Sequence, residues 1–160
     1  MTVQLGRPIR SPYHFPAQPG AYALVMLLTQ PLELEIGRLG KYTLPSAIYV
    51  YAGSARGPGG IQARVERHLR MDKPTHWHID FLRPYVDVLS VYYSTSSLGL
   101  ECAWSQALSM LSGASIPVAR FGASDCTAGC PAHLIELPLM IHRSPIAAAL
   151  GYPHAVNIRT

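Results

Sequence analysis

The segment IYVYAGSARGPGGIQARVERHLR, residues 48–70, changes character halfway along. An aromatic, β-branched run closes at Gly53, and a glycine-rich loop follows it. From residue 60 onward Ile61, Val65 and Leu69 recur at every fourth position. The pattern predicts a strand over 46–53 and then a helix with a narrow apolar stripe. Arg64 and His68 share the i, i+4 spacing to one side of that stripe, so the helix presents them together, beside the core rather than in it. A tyrosine-bearing strand that runs through glycines into a basic helix predicts a binding site where the two meet.

Upstream, AYALVMLL (21–28) reads as a buried strand and LELEI (32–36) as a strand with one face in water. With 46–53 these two predict a three-stranded antiparallel meander. Downstream, THWHIDFLRP (75–84) predicts a short helix capped by Thr75 and stopped by Pro84, and VDVLSVYY (86–93) a further strand. Leu100, Trp104, Ala107, Leu108 and Leu111 mark an amphipathic helix ending near Gly113. PVARFG (117–122) and HLIELPL (133–139) predict short final strands. The fold class is therefore α/β, of the α+β kind, with an antiparallel sheet flanked by helices. The organisation expected is an N-terminal arm over 1–17, one domain over 18–143 and a C-terminal tail over 144–160.

The 160 residues suffice for one domain with a real core, and 49% hydrophobic content excludes disorder. The formal charge of +4 leans toward anionic partners without identifying one. No apolar segment is long enough to cross a bilayer, and the opening residues carry no secretory signal pattern. Three cysteines, an odd number, point to a reducing compartment, so the expectation is a cytoplasmic protein with no membrane partner.

Several residues invite a chemical reading beside a plain one. Tyr22 and Tyr51 taken singly are core tyrosines, and Arg64 and His68 a solvated helix face. Arg67 and Arg70 read as surface charge or non-specific phosphate contacts. GSARGPGG lacks the lysine and spacing of a P-loop, leaving a turn whose amides touch a phosphate backbone. Ser54 has no histidine and acid partners, which excludes a serine hydrolase. His76 and His78, two apart, point to different sides of a helix, and Asp80 can orient a histidine. Cys126, Cys130 and His133 have a spacing that can ligate zinc, with Cys102 or another histidine as fourth ligand. Two buried thiols and a capped histidine form the preferred alternative.

Taken in order, the segments GAY (20–22), YAGSARGPGGIQARVERHLR (51–70), HWHIDFL (76–82), EC (101–102) and SDC…HL (124–134) resemble the GIY-YIG nuclease superfamily. The likeness is strongest to a small branch described as a domain of unknown function, also found fused to endonuclease III-type glycosylases. It spans about residues 18–136. Ala21 and Ala52 stand where the name-giving isoleucines would be, both at packing positions.

The resemblance implies a GIY-YIG-type sheet and a metal-dependent endonuclease hydrolysing phosphodiester bonds in DNA. Its implied setting is DNA repair, at abasic or structured sites. It implies catalytic roles for Tyr22, Tyr51, Arg64, His68 and Glu101, with Glu101 holding Mg²⁺ or Mn²⁺. Gly53, Ser54, Arg56, Arg67 and His76 are expected to contact substrate. The residue types suit this chemistry: one carboxylate, water and phosphate oxygens complete a magnesium shell, and a guanidinium fork matches phosphate. Tyr22, Tyr51 and His68 can each orient water or take its proton; the resemblance favours Tyr22 as base and Tyr51 in positioning. A tyrosine base needs a nearby cation to lower its ordinary pKa of about 10. The alternatives are a DNA-binding module that kept the fold without activity, holding DNA through Arg56, Arg64, Arg67 and Arg70, and a zinc-stabilised structural protein. A monomer and a homodimer are equally compatible with the sequence.

Overall fold

The computed structural model describes residues 11–96 and 99–158. Residues 1–10 of the expected N-terminal arm lie outside the described residues. Five antiparallel strands form the main sheet: β1 (Gly20–Leu28), β4 (Ala47–Ala55), β5 (Asp87–Ser94), β6 (Leu134–Leu137) and β7 (His154–Asn157), in the order β6-β4-β1-β5-β7. β2 (Leu32–Glu35) and β3 (Lys41–Leu44) pair only with each other. The helices are α1 (Gly60–Leu69), α2 (His78–Leu82), α3 (Leu100–Ser109) and α4 (Arg143–Ala149).

Strand alternation sorts the core into two. Tyr22, Leu24, Met26 and Leu28 of β1, with Tyr49 and Tyr51 of β4, pack against Ile61, Val65, Ile79 and Leu82 of α1 and α2. The intervening Ala21, Ala23 and Val25, with Ile48, Val50 and Ala52, face Trp104 and Leu108 of α3 and Ile146 of α4. Burial on both faces explains why β1 and β4 read as continuous apolar runs rather than as alternating ones.

Three expectations need correction. The strand at 32–36 forms, but in a separate hairpin with β3, so β5 takes the place beside β1. Its alternating Glu33 and Glu35 are exposed, which suits a hairpin at the periphery better than a doubly covered sheet. PVARFG forms turns: Arg120 and Gly122 have φ of 66° and 70°, and Phe121 is fully buried against Tyr51. The helix expected over 75–84 is shorter, and Thr75 does not cap it; Asp80 Oδ2 instead accepts the His76 and Trp77 N–H groups, each at 2.8 Å. The tail from Ser144, which has no clear sequence pattern, adds most of α4 and all of β7, the latter paired with β5.

Both ends of α1 are anchored by groups from elsewhere. At its start, the Gln18 and Pro16 carbonyls accept from the Ile61 and Gln62 N–H groups, each at 2.9 Å. These are donors that a helix N-terminus leaves unpaired. At its end, buried Arg83 donates to the His68, Leu69 and Val86 carbonyls at 2.7, 3.3 and 3.1 Å. Lys73 donates to the Arg67 and His68 carbonyls at 2.7 and 3.0 Å. Cations at a helix C-terminus also oppose its negative dipole end.

The N-terminal anchor allows no side chain at residue 60: Gly60 has φ +55°, and a Cβ there would sit 2.2 Å from the Gln18 carbonyl oxygen. Gly60→Ala is expected to cost at least about 1–3 kcal/mol from backbone strain alone. Urea unfolding of the variant beside the wild type checks this.

Candidate active site

At the end of the sheet where β1 begins and β4 ends, a cleft of about 480 Å³ opens between α1 and the loop following α3. Its lining includes Tyr22, Tyr51, Gly53, Ser54, Arg56, Arg64 and Glu101, all singled out from the sequence. Trp77, Cys102, Asp125, Cys126, Thr127 and His133 complete much of the wall.

The two tyrosines are placed by glycines. In the β1–β4 register Tyr22 lies opposite Gly53. A Cβ on Gly53 would meet the Tyr22 ring and hydroxyl at 2.5 Å, so the bare backbone leaves room for the phenol to lie across β4. Tyr51 rests in the same way on Gly122, where a Cβ would come within 2.8 Å of its ring. The two phenol rings have centroids 6.4 Å apart.

His68 departs from expectation. It is fully buried, inside the core rather than beside it, because Tyr22, Tyr51 and Trp77 close around its ring. Its Nε2 shares a 2.7 Å hydrogen bond with the Tyr22 hydroxyl, while Nδ1 is buried without a partner among the described residues. His68 is not among the residues lining the cleft; it touches the lining residues Tyr22, Tyr51 and Trp77, and hydrogen-bonds to Tyr22. Burial, reinforced by the Lys73 charge, lowers its pKa to about 3, with Asp80 opposing.

Burial likewise raises the phenols. Tyr22 lies well above the ordinary tyrosine value of 10.0, pushed first by burial and then by Tyr51; the Arg64 charge pulls it down without prevailing. Tyr51 is pushed up to about 12 by burial, again against Arg64. Both are neutral phenols at neutral pH.

Arg64 is half-buried, its guanidinium carbon 4.5 Å from the centre of the Trp77 ring, an arrangement that orients its fork at the cleft. Glu101, in the first turn of α3, is buried. Arg56 approaches its Oε1 at 3.7 Å, and its Oε2 has no hydrogen-bond partner among the described residues. A buried carboxylate oxygen without a donor, on a residue that lines a polar cleft, is a candidate ligand for a cation.

Arg67 and His76 stand apart from this set. Arg67 is bound to both Asp80 oxygens at 2.9 and 3.1 Å, and its guanidinium carbon lies 4.3 Å from the centre of the Trp77 ring. Burial would raise Asp80, but the Arg67 hydrogen bonds and the Trp77 and His76 amides outweigh it and hold the carboxyl below its usual value. Asp80 thus orients an arginine and a helix start rather than a histidine. His76 is exposed, edge-on to Trp77. His78 Nδ1 accepts the Gly122 N–H at 2.9 Å, tying α2 to the loop beneath Tyr51.

The cysteine-bearing segment converges on the same cleft. Cys102, Cys126, Cys130 and His133 bring their ligand atoms within 4.8 Å of one another, a group able to hold a metal ion. The preferred sequence reading, two buried thiols and a capped histidine, is too small: all three thiols and the imidazole come together, Cys102 being the fourth member. Trp77 is the cleft residue that spacing could not assign, since it reaches the site only through tertiary contacts; of the two alternatives for the fourth ligand, the fold brings up Cys102.

A family model described as a domain of unknown function, DUF123, matches residues 21–150. Comparison with curated proteins and with solved structures gave no match. Among the described residues no helix is long and apolar enough to cross a membrane.

The buried His68 has a pH signature. Its folded pKa, about 3, lies below the unprotected value of 6.5, so the unfolded chain binds the extra proton first. Its contribution to stability is complete above pH 6.5 and is lost as the pH falls toward about 3, with a slope of at most about 1.4 kcal/mol per pH unit. Denaturant titrations between these limits should show a shallower pH dependence for His68→Gln than for the wild type.

Proposed function

We propose that this chain, which belongs to the DUF123 family, is a metal-dependent endonuclease of GIY-YIG type that hydrolyses phosphodiester bonds in DNA. The observation that carries this reading is the convergence of Tyr22, Tyr51, Arg64 and Glu101, drawn from two strands and two helices, on one polar cleft. Repair of abasic or structured DNA is the setting that fits the family resemblance.

Phosphodiester hydrolysis needs an activated water, neutralised charge at phosphorus and help for the leaving oxygen. Glu101, with its unpartnered buried Oε2, fits a magnesium or manganese ion whose remaining positions go to water and phosphate oxygens. Bound there, such an ion supplies Lewis-acid stabilisation of the phosphate and of the departing 3′ oxygen. Arg64, held over Trp77, supplies a fixed charge and two donors to the phosphate.

Tyr22 is the base in this reading. Its phenolate accepts a proton from water, the resulting hydroxide attacks phosphorus, and the bond to the 3′ oxygen breaks. With Nε2 carrying the proton, His68 donates to the Tyr22 oxygen and stabilises its phenolate, which makes His68 a positioning residue. Tyr51 orients the water from the other side. Because burial raises the Tyr22 pKa, only a small fraction is ionised at neutral pH, and that fraction grows up to tenfold per pH unit. In this reading Arg56 and Ser54, which line the cleft, contact the DNA backbone.

The test is cleavage of labelled duplex, nicked, single-stranded and abasic-site DNA with Mg²⁺, Mn²⁺ or EDTA. Metal-dependent incision is expected, reduced by about 10²–10³-fold in Arg64→Ala and Glu101→Ala. The wild-type rate should climb from neutral to mildly alkaline pH, and Tyr22→Phe should abolish that climb. Variants as active as the wild type would overturn the assignment. DNA binding without incision in any metal would favour the non-catalytic DNA-binding module.

A further inference from the structure

We propose that Cys102, Cys126, Cys130 and His133 form a closed, four-coordinate zinc site that fixes one wall of the cleft. The cluster draws on separate parts of the chain: Cys102 from the first turn of α3, the other three from the irregular segment between α3 and β6. All three cysteines of the protein take part, and none is in a disulfide.

The distances suit a tetrahedral ion. Cys102 Sγ lies 3.5 Å from Cys126 Sγ and 3.6 Å from His133 Nε2. Zinc bonds of about 2.3 Å to sulfur and about 2.0–2.1 Å to nitrogen give tetrahedral edges of about 3.8 Å between sulfurs and about 3.6 Å from sulfur to nitrogen. Thiols that merely packed or hydrogen-bonded would have no reason to gather from two chain segments around one imidazole. Three thiolates and an imidazole select a soft tetrahedral ion, unlike the oxygen-seeking cation suited to Glu101. Four protein ligands leave no coordination position open, so the ion is structural rather than hydrolytic.

The surroundings support the donors. Gln106 Nε2 approaches Cys130 Sγ at 3.9 Å. Such partners orient ligating side chains. The backbone at His133 is fixed on both sides, its N–H to the Phe121 carbonyl at 2.8 Å and its carbonyl to the Ala52 N–H at 2.9 Å. Zinc binding displaces the three thiol protons to solvent, so affinity falls as pH falls.

The position gives the site a purpose. Cys102 directly follows Glu101, and the cleft wall includes Cys126, Thr127, Ala128 and His133. An ion at the cluster ties the start of α3 to a segment that has no helix or strand of its own, and so fixes where the Glu101 carboxylate points. The inference stands independently of the nuclease reading, because it is read from metal content rather than from cleavage.

The experiment is elemental analysis of the full chain after gel filtration in chelator-free buffer, with cobalt reconstitution in parallel. About one zinc per chain is expected. Retention should fall at least tenfold, to about 0.1 per chain or less, in the Cys126→Ser/Cys130→Ser double variant. Should that variant fail to fold, the wild type still decides the matter. Chelator-stripped protein given Co²⁺ should develop tetrahedral d–d bands with thiolate-to-cobalt charge transfer, and bound zinc should slow reaction of its thiols with a disulfide reagent. No zinc, no cobalt spectrum and three thiols reacting equally fast with and without zinc would overturn the proposal. A Cys102–Cys126 disulfide in protein isolated under nitrogen would overturn it as well.

Discussion

The close passage of the Tyr22 ring across Gly53, ending in the hydrogen bond to His68, is the constraint on which the rest of the site depends. It fixes the β1–β4 register at the cleft, since only a residue without a side chain can stand opposite that phenol. It also ties β1 to α1 through a fully buried contact of 2.7 Å. A one-residue slip of β4 would turn Tyr51 to the opposite face and bring a side chain against Tyr22. The fold and the placement of both phenols are therefore one problem with one solution.

The helix that brings His68 to Tyr22 is held by polar contacts at both ends. Arg83 and Lys73 pair the last carbonyls of α1, and the lead-in chain pairs its first amides. Alongside, Asp80 joins Arg67 to the start of α2, and Trp77 lies under the guanidinium groups of Arg64 and Arg67. Much of the positive charge that the sequence displays on α1 thus has a structural task. Arg64 lines the cleft, as does Arg56 from the loop after β4. This division of labour follows from geometry: Arg67 lies close enough to the Asp80 carboxylate for two hydrogen bonds, whereas Arg64 points past it.

The opposite wall is built differently. It has little regular structure, and Phe121 and Ala132 anchor it by burial in the core shared with Tyr51. Its turns use left-handed backbone at Arg120, Gly122 and Gly129. A wall of this kind has few backbone ladders to keep its shape, which is why the convergence of three thiols and an imidazole within it matters. Glu101, whose Oε2 is buried without a hydrogen-bond partner among the described residues, lines the same cleft from the first turn of α3. Hard oxygen and soft sulfur donors are thus adjacent in sequence and separate in coordination chemistry.

Periodicity and composition by themselves determined the α+β class, the strands at β1 (read as buried) and β4, the amphipathic helices α1 and α3, and a strand over 86–93, found at 87–94. Those features arise from local hydrophobic patterns that any sheet packed between helices must satisfy. The ordered motifs also picked out Tyr22, Tyr51, Arg64 and Glu101, which line one cleft, together with His68, which lies buried behind it. Only the tertiary structure decided that the strand at 32–35 leaves the sheet, that 154–157 joins it, and that 117–122 turns instead of pairing. Strand partners are chosen by the whole sheet, and no single strand's pattern records its neighbour. The same holds for His68, whose burial depends on three aromatic rings from three other elements, and for Cys102, which completes a ligand set only because the start of α3 and a distant loop meet. Side chains assembled from separate segments leave no spacing to read; their grouping exists only once the chain has folded.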